Sequence, residues 1–222
     1  MWDATGLCLR PAWASLGRMK IRYLALAVLL VLLSSAGMKA ADVEIKQVPL
    51  STSELLTLQV PAPFQLAVVK ESEDGFRPAI RLLATNTDGS IRVVLKIFTG
   101  KIQDKGPQNQ EELNAAVQKM SAVYVSGSVE KTNTVYVLKL PQAGSLGAYT
   151  IYTDVSLVSV LQPPPGQYRV VMLGMARIGD YLFTIQCGSE DRDGEDFKAA
   201  LKMMAGLKVD TEAVKEDSQP AK

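Results

Sequence analysis

The sequence predicts an α+β domain built on one antiparallel sheet with helices packed on its faces. Three observations carry that expectation. The elements run strands, helix, strands, helix; the strand segments alternate apolar and polar residues between turn signals; and two segments repeat apolar residues at helical spacing. With 222 residues, 47% apolar and 21% charged, the chain has the balance of a globular protein and the length for one substantial core.

Each element has its own signal. "VEIKQV" alternates and reads as an edge strand within a short lead, residues 37–50. "LLTLQVPAPFQLAVV" gives two short strands broken by Pro61 and Pro63, because proline cannot donate to a ladder. "AIRLLAT", "NTDGS" and "IRVVLKIF" form a hairpin, with Asp88-Gly89 supplying the positive φ of a tight turn. On its second strand Ile91, Val93, Leu95 and Ile97 share one face, and Arg92 and Lys96 point the other way. "EELNAAVQKMSAVY" places Leu113, Ala116, Val117, Met120 and Tyr124 on one helical stripe, opened by the capping pair Asn109 and Glu112 and closed before Gly127. "TVYVLKL" and "GAYTIYTDVSLVSV" read as strands, and "YRVVMLGMARIGDYLFTIQC" as a second hairpin turning at Gly179-Asp180. A last helix spans about residues 194–205, with Asp193 as its cap, Glu195 and Asp196 in its first turn and Phe197, Ala200, Leu201 and Met204 as its buried stripe. The expected domain is 51–209, and 210–222 reads as a disordered tail.

The amino end carries an address. "RMKIRYLALAVLLVLLSSAG" has the positive n-region, the apolar run from Tyr23 to Leu33 and the small residues of a secretory signal peptide ending near residue 36. The run is about half of the roughly 20 apolar residues a spanning helix needs, so no stable span is expected after cleavage. Residues 1–18 lack targeting character, and Met19 is a natural start. A secreted or periplasmic protein is expected. Cleavage leaves Cys187 as the sole cysteine, so stability must come from the core.

Composition excludes several mechanisms. The chain contains no histidine, which removes Ser-His-Asp and Cys-His catalysis and histidine metal sites. Residues 1–36 hold four basic residues and one acid, leaving 20 basic and 22 acidic residues in the rest. That body lacks the basic excess that nucleic-acid binding requires. No Gly-rich phosphate motif is present.

The stretch "CGSEDRDGEDFKAALKMM" looks most chemical and reads as a strand-to-helix junction. Tyr181, Phe183, Ile185 and Cys187 share an apolar face, where a lone thiol is a small hydrophobe and the nearby charges disfavour a thiolate. If Asp193-Gly194 took positions 5 and 6 of a calcium loop, Ser189 and Ala200 would fall at positions 1 and 12, where carboxylates are required. No catalytic, cofactor-binding or metal-ligating residue is therefore assigned. With both tryptophans ahead of the cleavage point, the mature chain is a weak candidate for a sugar-stacking module, although Tyr149, Tyr152 and Tyr168 remain available.

The run "GDYLFTIQC…DFKAALKMMAGLKV", with "VPAPFQLAV" and "GAYTIYT" upstream, resembles the PsbP-like fold family across about residues 55–209. The "PPPG" loop and the connector 99–108 have no counterpart in that pattern. The resemblance implies an α/β/α sandwich with a central antiparallel sheet. It also implies a role that is mostly non-catalytic, as in extrinsic photosystem subunits, a Ran-binding nuclear factor and bacterial envelope proteins. It carries over no catalytic residue, and the photosystem members' metal-binding histidines have no equivalent here. The expected function is thus a secreted, non-catalytic binding or accessory protein of the bacterial cell envelope. Its partner, an envelope protein or ligand, would meet one sheet edge and the loops at residues 99–108 and 162–167. The alternative is a carboxylate-dependent hydrolase acting on envelope polymers, with Glu190, Asp191 and Asp154 as the residues to suspect.

Overall fold

The computed structural model describes residues 43–73, 76–98 and 106–211; the expected signal peptide, the start of the expected lead segment and most of the expected tail lie outside them. The elements are β1 (Val43–Pro49), β2 (Glu54–Pro61), β3 (Phe64–Glu73), β4 (Phe76–Asn86), β5 (Ile91–Phe98), α1 (Gln110–Val125), β6 (Tyr136–Val137), β7 (Leu146–Thr153), β8 (Val170–Ile178), β9 (Tyr181–Ser189), α2 (Glu195–Ala205) and β10 (Lys208–Thr211). The α+β class holds. The strands form two antiparallel sheets, however, where one was expected: a seven-stranded sheet in the order β3-β4-β5-β9-β8-β7-β6, and a three-stranded sheet β1-β2-β10.

The small sheet explains two differences at the ends of the domain. β1, read as part of a lead, pairs along its whole length with β2. Asp210 and Thr211, read as tail, pair with Leu55 and Glu54, and Thr57 donates its hydroxyl to Asp210 Oδ2 at 2.8 Å. A four-residue strand with one apolar position has no alternation to read; only its distant partner makes it a strand.

Both hairpins form as expected, with Gly89 and Gly179 at φ of 74° and 57°. In the first, Asp88 Oδ1 accepts the Ser90 N–H at 2.9 Å and pins the turn. The alternation of β5 fixes the orientation of the large sheet. Ile91, Val93, Leu95 and Ile97 are buried on a core face that continues through Phe183, Ile185 and Cys187 of β9 and Met172 and Ala176 of β8. Against this face lie α2, through Phe197, Ala200, Met203 and Met204, and the small sheet, through Leu56, Leu58 and Val60. Tyr181 donates its hydroxyl to Glu54 Oε2 at 2.6 Å, tying the two sheets.

The opposite face carries Val94, Lys96, Thr184 and Gln186 and is covered only in part by the described residues. Leu113 and Val117 of α1 pack there on Ala148, with Met175 and Leu146 beside them, at the β7–β8 end. The Asn109 side chain caps α1 by accepting the Glu112 N–H at 2.9 Å, and Glu112 accepts from Gln108 N at 2.7 Å. Met120 is half-buried and Tyr124 is exposed, stacked on Tyr152 with 6.0 Å between ring centroids. Ser121 takes the fourth-turn position in the core instead, donating to the Val117 carbonyl at 2.7 Å.

Three local expectations are corrected. The cap of α2 is Gly194, without a side-chain bond; Asp193 uses its own N–H on Asp191 Oδ1 at 2.9 Å and so closes a turn before the helix. Asp196 reaches back to accept from Asn86 Nδ2 at 2.7 Å, anchoring the helix to the first hairpin. The segment "GAYTIYTDVSLVSV" stops being a strand at Thr153, because Asp154 Oδ1 accepts both the N–H and the hydroxyl of Ser156 and turns the chain. "TVYVLKL" pairs over Tyr136 and Val137 only.

Cys187 is buried in the core, as its alternation with Phe183 and Ile185 predicts, and burial pushes its thiol up to about 12 from an ordinary value of 9.0. The folded value lies above the unfolded one, so this contribution to stability is intact below pH ~9 and is lost as pH rises toward ~12, where only the unfolded thiol ionises readily. A native thiol that reacts slowly with an aromatic disulfide reagent, and quickly in denaturant, is the expected result. Cys187→Ser is expected to lower stability by about 1–3 kcal/mol at neutral pH, by placing a hydroxyl among apolar neighbours. Cys187→Ala is expected to flatten the alkaline decline of the melting temperature; an unchanged decline would place the thiol outside the core.

Candidate functional site

The half of the large sheet that no described residue covers is the floor of a cleft of about 470 Å³. Its cations come from the two strands of the first hairpin. Lys96 and Arg81 are cross-strand partners, and Arg92 lies four residues along β5 on the same face, about 13 Å from Lys96 at the rise of a strand. All three line the cleft, with Gln186 of β9 beside them. β5 lies inside the sheet, paired with β4 on one side and β9 on the other, so these charges rise from a floor whose backbone groups are already satisfied.

The wall is made by residues 154–169, and one side chain holds it. Arg169 donates to the carbonyls of Leu157, Val160 and Leu161, and its guanidinium lies 3.3 Å from Glu190 Oε2. That oxygen is buried and takes no hydrogen bond from any described residue, so the pair is held by charge. Tyr168 is seated because position 188 is glycine. A Cβ there would stand 2.3 Å from Tyr168 Cδ2, so any other residue would drive the ring off the floor. Burial raises the Tyr168 hydroxyl above its ordinary range, and the neighbouring Arg92 offsets part of that rise. An adjoining cleft of about 990 Å³, against Pro163–Pro165 and Glu190, shares Gly166, Gln167 and Tyr168 with the first. Toward α1 the floor continues into a smaller hollow of about 200 Å³, where Met120 faces Lys96 and Thr184.

The residues singled out in the sequence are dispersed. Asp154 lines the cleft, with Oδ1 occupied by Ser156. Glu190 lines the adjoining one and faces Arg169. Asp191 is folded into the turn before α2. The adjoining cleft also holds Asp88, whose carboxyl is kept below its ordinary range by the Ser90 N–H. Among the described residues no group of three acidic or cysteine side chains is arranged to hold a metal ion, and no helix is long and apolar enough to cross a membrane.

Of the two loops expected to meet a partner, residues 162–167 line the adjoining cleft, and Gly166 and Gln167 line the first as well. The first part of the other, 99–105, lies outside the described residues, and Pro107 and Gln108 are held by Arg177, at the far end of β8 from the cleft. Among the tyrosines, Tyr149 stacks on Tyr136 at 5.4 Å and Tyr152 is buried, which leaves Tyr168 in the cleft. Arg81, Arg92 and Lys96 were not expected to form a site. The signal for two of them was present: cations at positions i and i+4 on the polar face of a strand whose other face is wholly aliphatic.

The fold and the cleft define an α+β protein with a walled, cationic depression on the open face of an antiparallel sheet. No protein-family model matches the chain, and no curated protein matches it. The chain is similar to the solution structure of cyanobacterial PsbP from Synechocystis sp., with a TM-score of 0.46 and 10% identity, covering 78% of this chain and 96% of that one.

Proposed function

We propose that this is an exported, non-catalytic binding protein of the bacterial cell envelope that receives its partner on the open face of the large sheet. The observation that carries the reading is the cleft itself. Arg92 and Lys96 stand in it without an ion pair to any described residue, beneath a wall that Arg169 holds in place. A solvated sheet face needs no wall, and cations kept only for solubility need no enclosure. The sheet is taken as the middle layer of an α/β/α sandwich, a reading supported by α1 on Ala148 at one face and α2 against β5 at the other. Export rests on the charged, apolar and small-residue pattern of residues 18–36.

The test is a thermal-shift screen of envelope-derived fractions and defined glycans against the full chain. A rise in melting temperature that is lost in the Arg92→Gln/Lys96→Gln variant supports the reading. Turnover of an envelope polymer, abolished by Asp154→Asn or Glu190→Gln at unchanged stability, would replace it with the carboxylate-dependent hydrolase.

A further inference from the structure

We infer that the open-face cleft binds an acidic oligosaccharide, laid along β5 with its anionic groups toward Arg92 and Lys96. This rests on the reading of that face as a binding surface and names what it takes.

Charge sets the sign of the ligand. Among the described lining residues, Arg92 and Lys96 face one carboxylate, Asp154, across the cleft, and that carboxylate is engaged by the Ser156 N–H and hydroxyl. Arg92 and Lys96 are about 13 Å apart along the strand. A compact anion held by one cation leaves the other unused, whereas an extended chain with repeated anionic groups engages both.

The other lining groups favour a sugar over a peptide. β5 has spent its N–H and C=O groups on β4 and β9, so an extended peptide finds no free edge for strand addition, the recognition mode a sheet usually offers. Between and beside the cations stand Gln186 and Gln167, side-chain amides that both donate and accept, as hydroxyl groups require. The Tyr168 ring lines the cleft at the wall, held against Gly188. A near-neutral body with 20 basic and 22 acidic residues beyond position 36 argues against a nucleic-acid ligand.

The experiment is isothermal titration of the full chain with tetragalacturonate, its carboxyl-reduced neutral counterpart and tetraglutamate, at low salt and at physiological salt. Binding of tetragalacturonate, weakened by salt and absent for the neutral oligomer and for tetraglutamate, is expected. Arg92→Gln and Lys96→Gln should each weaken it at least about tenfold, the loss of one charge-assisted hydrogen bond. Both side chains leave the core at the surface of the sheet, so circular dichroism melts of the variants should match the parent. Equal binding of tetraglutamate, lost in the same variants, would overturn the sugar assignment and keep the binding face. Binding that survives both variants would overturn the site. No binding of any of the three would overturn this inference, and the screen above then decides the binding reading separately.

Discussion

Replacing Phe183 with alanine is expected to lower the unfolding free energy by about 3–5 kcal/mol, as the truncation of one of the largest fully buried side chains. Phe183 is fully buried on β9, the central strand of the seven. Its cross-strand neighbours are Ile97 on one side and Ala176 on the other, and small Ala176 leaves the space that the ring fills. Truncation opens a cavity that the flanking strands, hydrogen-bonded on both sides, cannot close by moving. A domain is stable by only about 5–15 kcal/mol, so the variant sits near the threshold of folding. Ile97→Val, expected to cost about 0.5–1.5 kcal/mol at the same spot, provides a measurable companion in urea denaturation. Val123→Ala, at an exposed position of α1, should change stability by less than about 0.5 kcal/mol. A cost for Phe183→Ala no larger than that surface control would contradict the placement of the core.

Arg169→Ala is expected to cost about 2–3 kcal/mol and to act locally. The substitution removes the donor shared by three carbonyls of residues 157–161 and the cation beside Glu190, leaving a carboxylate that is partly desolvated and unpaired. The wall then has only its own turns, such as Val160 N–H to Leu157 O at 3.1 Å and Gln167 N–H to Pro164 O at 3.0 Å. Hydrogen exchange at those amides should accelerate while β5 and β9 stay protected. Arg169→Lys should not restore them, because one ammonium cannot span a fork of three carbonyls and a carboxylate. Uniform loss of protection across the whole sheet would mean that Arg169 supports the core and not the wall.

The two variants separate what was legible in the sequence from what was not. Phe183 was legible: its alternation with Ile185 and Cys187 states a face, and period-2 patterns survive folding because the sheet buries one side of each strand. The same holds for β5, where the aliphatic series Ile91 to Ile97 sends Arg92 and Lys96 outward. The capping of α1 by Asn109 was legible because it is local in sequence. Arg169 was not legible. Its acceptors are backbone carbonyls, which carry no residue identity, and its ionic partner lies on the far side of a hairpin. The division into two sheets was hidden for a similar reason, since β10 meets β2 across most of the domain. Asp154 misled in a more specific way. "TDVSLVSV" alternates like a strand, but a side chain that bonds its own backbone two residues on outcompetes the ladder. The cleft draws on four separate stretches of chain, and no pattern within any one of them marks it.

Arg92 and Lys96, on the open face of the large sheet, are the proposed ligand contacts. The most direct measurement is an amide correlation spectrum of the labelled full chain during titration with tetragalacturonate. Shifts are expected on Arg92, Val94, Lys96, Gln186 and Gly188 and on the wall at Gln167 and Tyr168, with the α2 amides unmoved. Shifts confined to the exposed edge at β1 or β3, or centred on α2, would contradict that assignment.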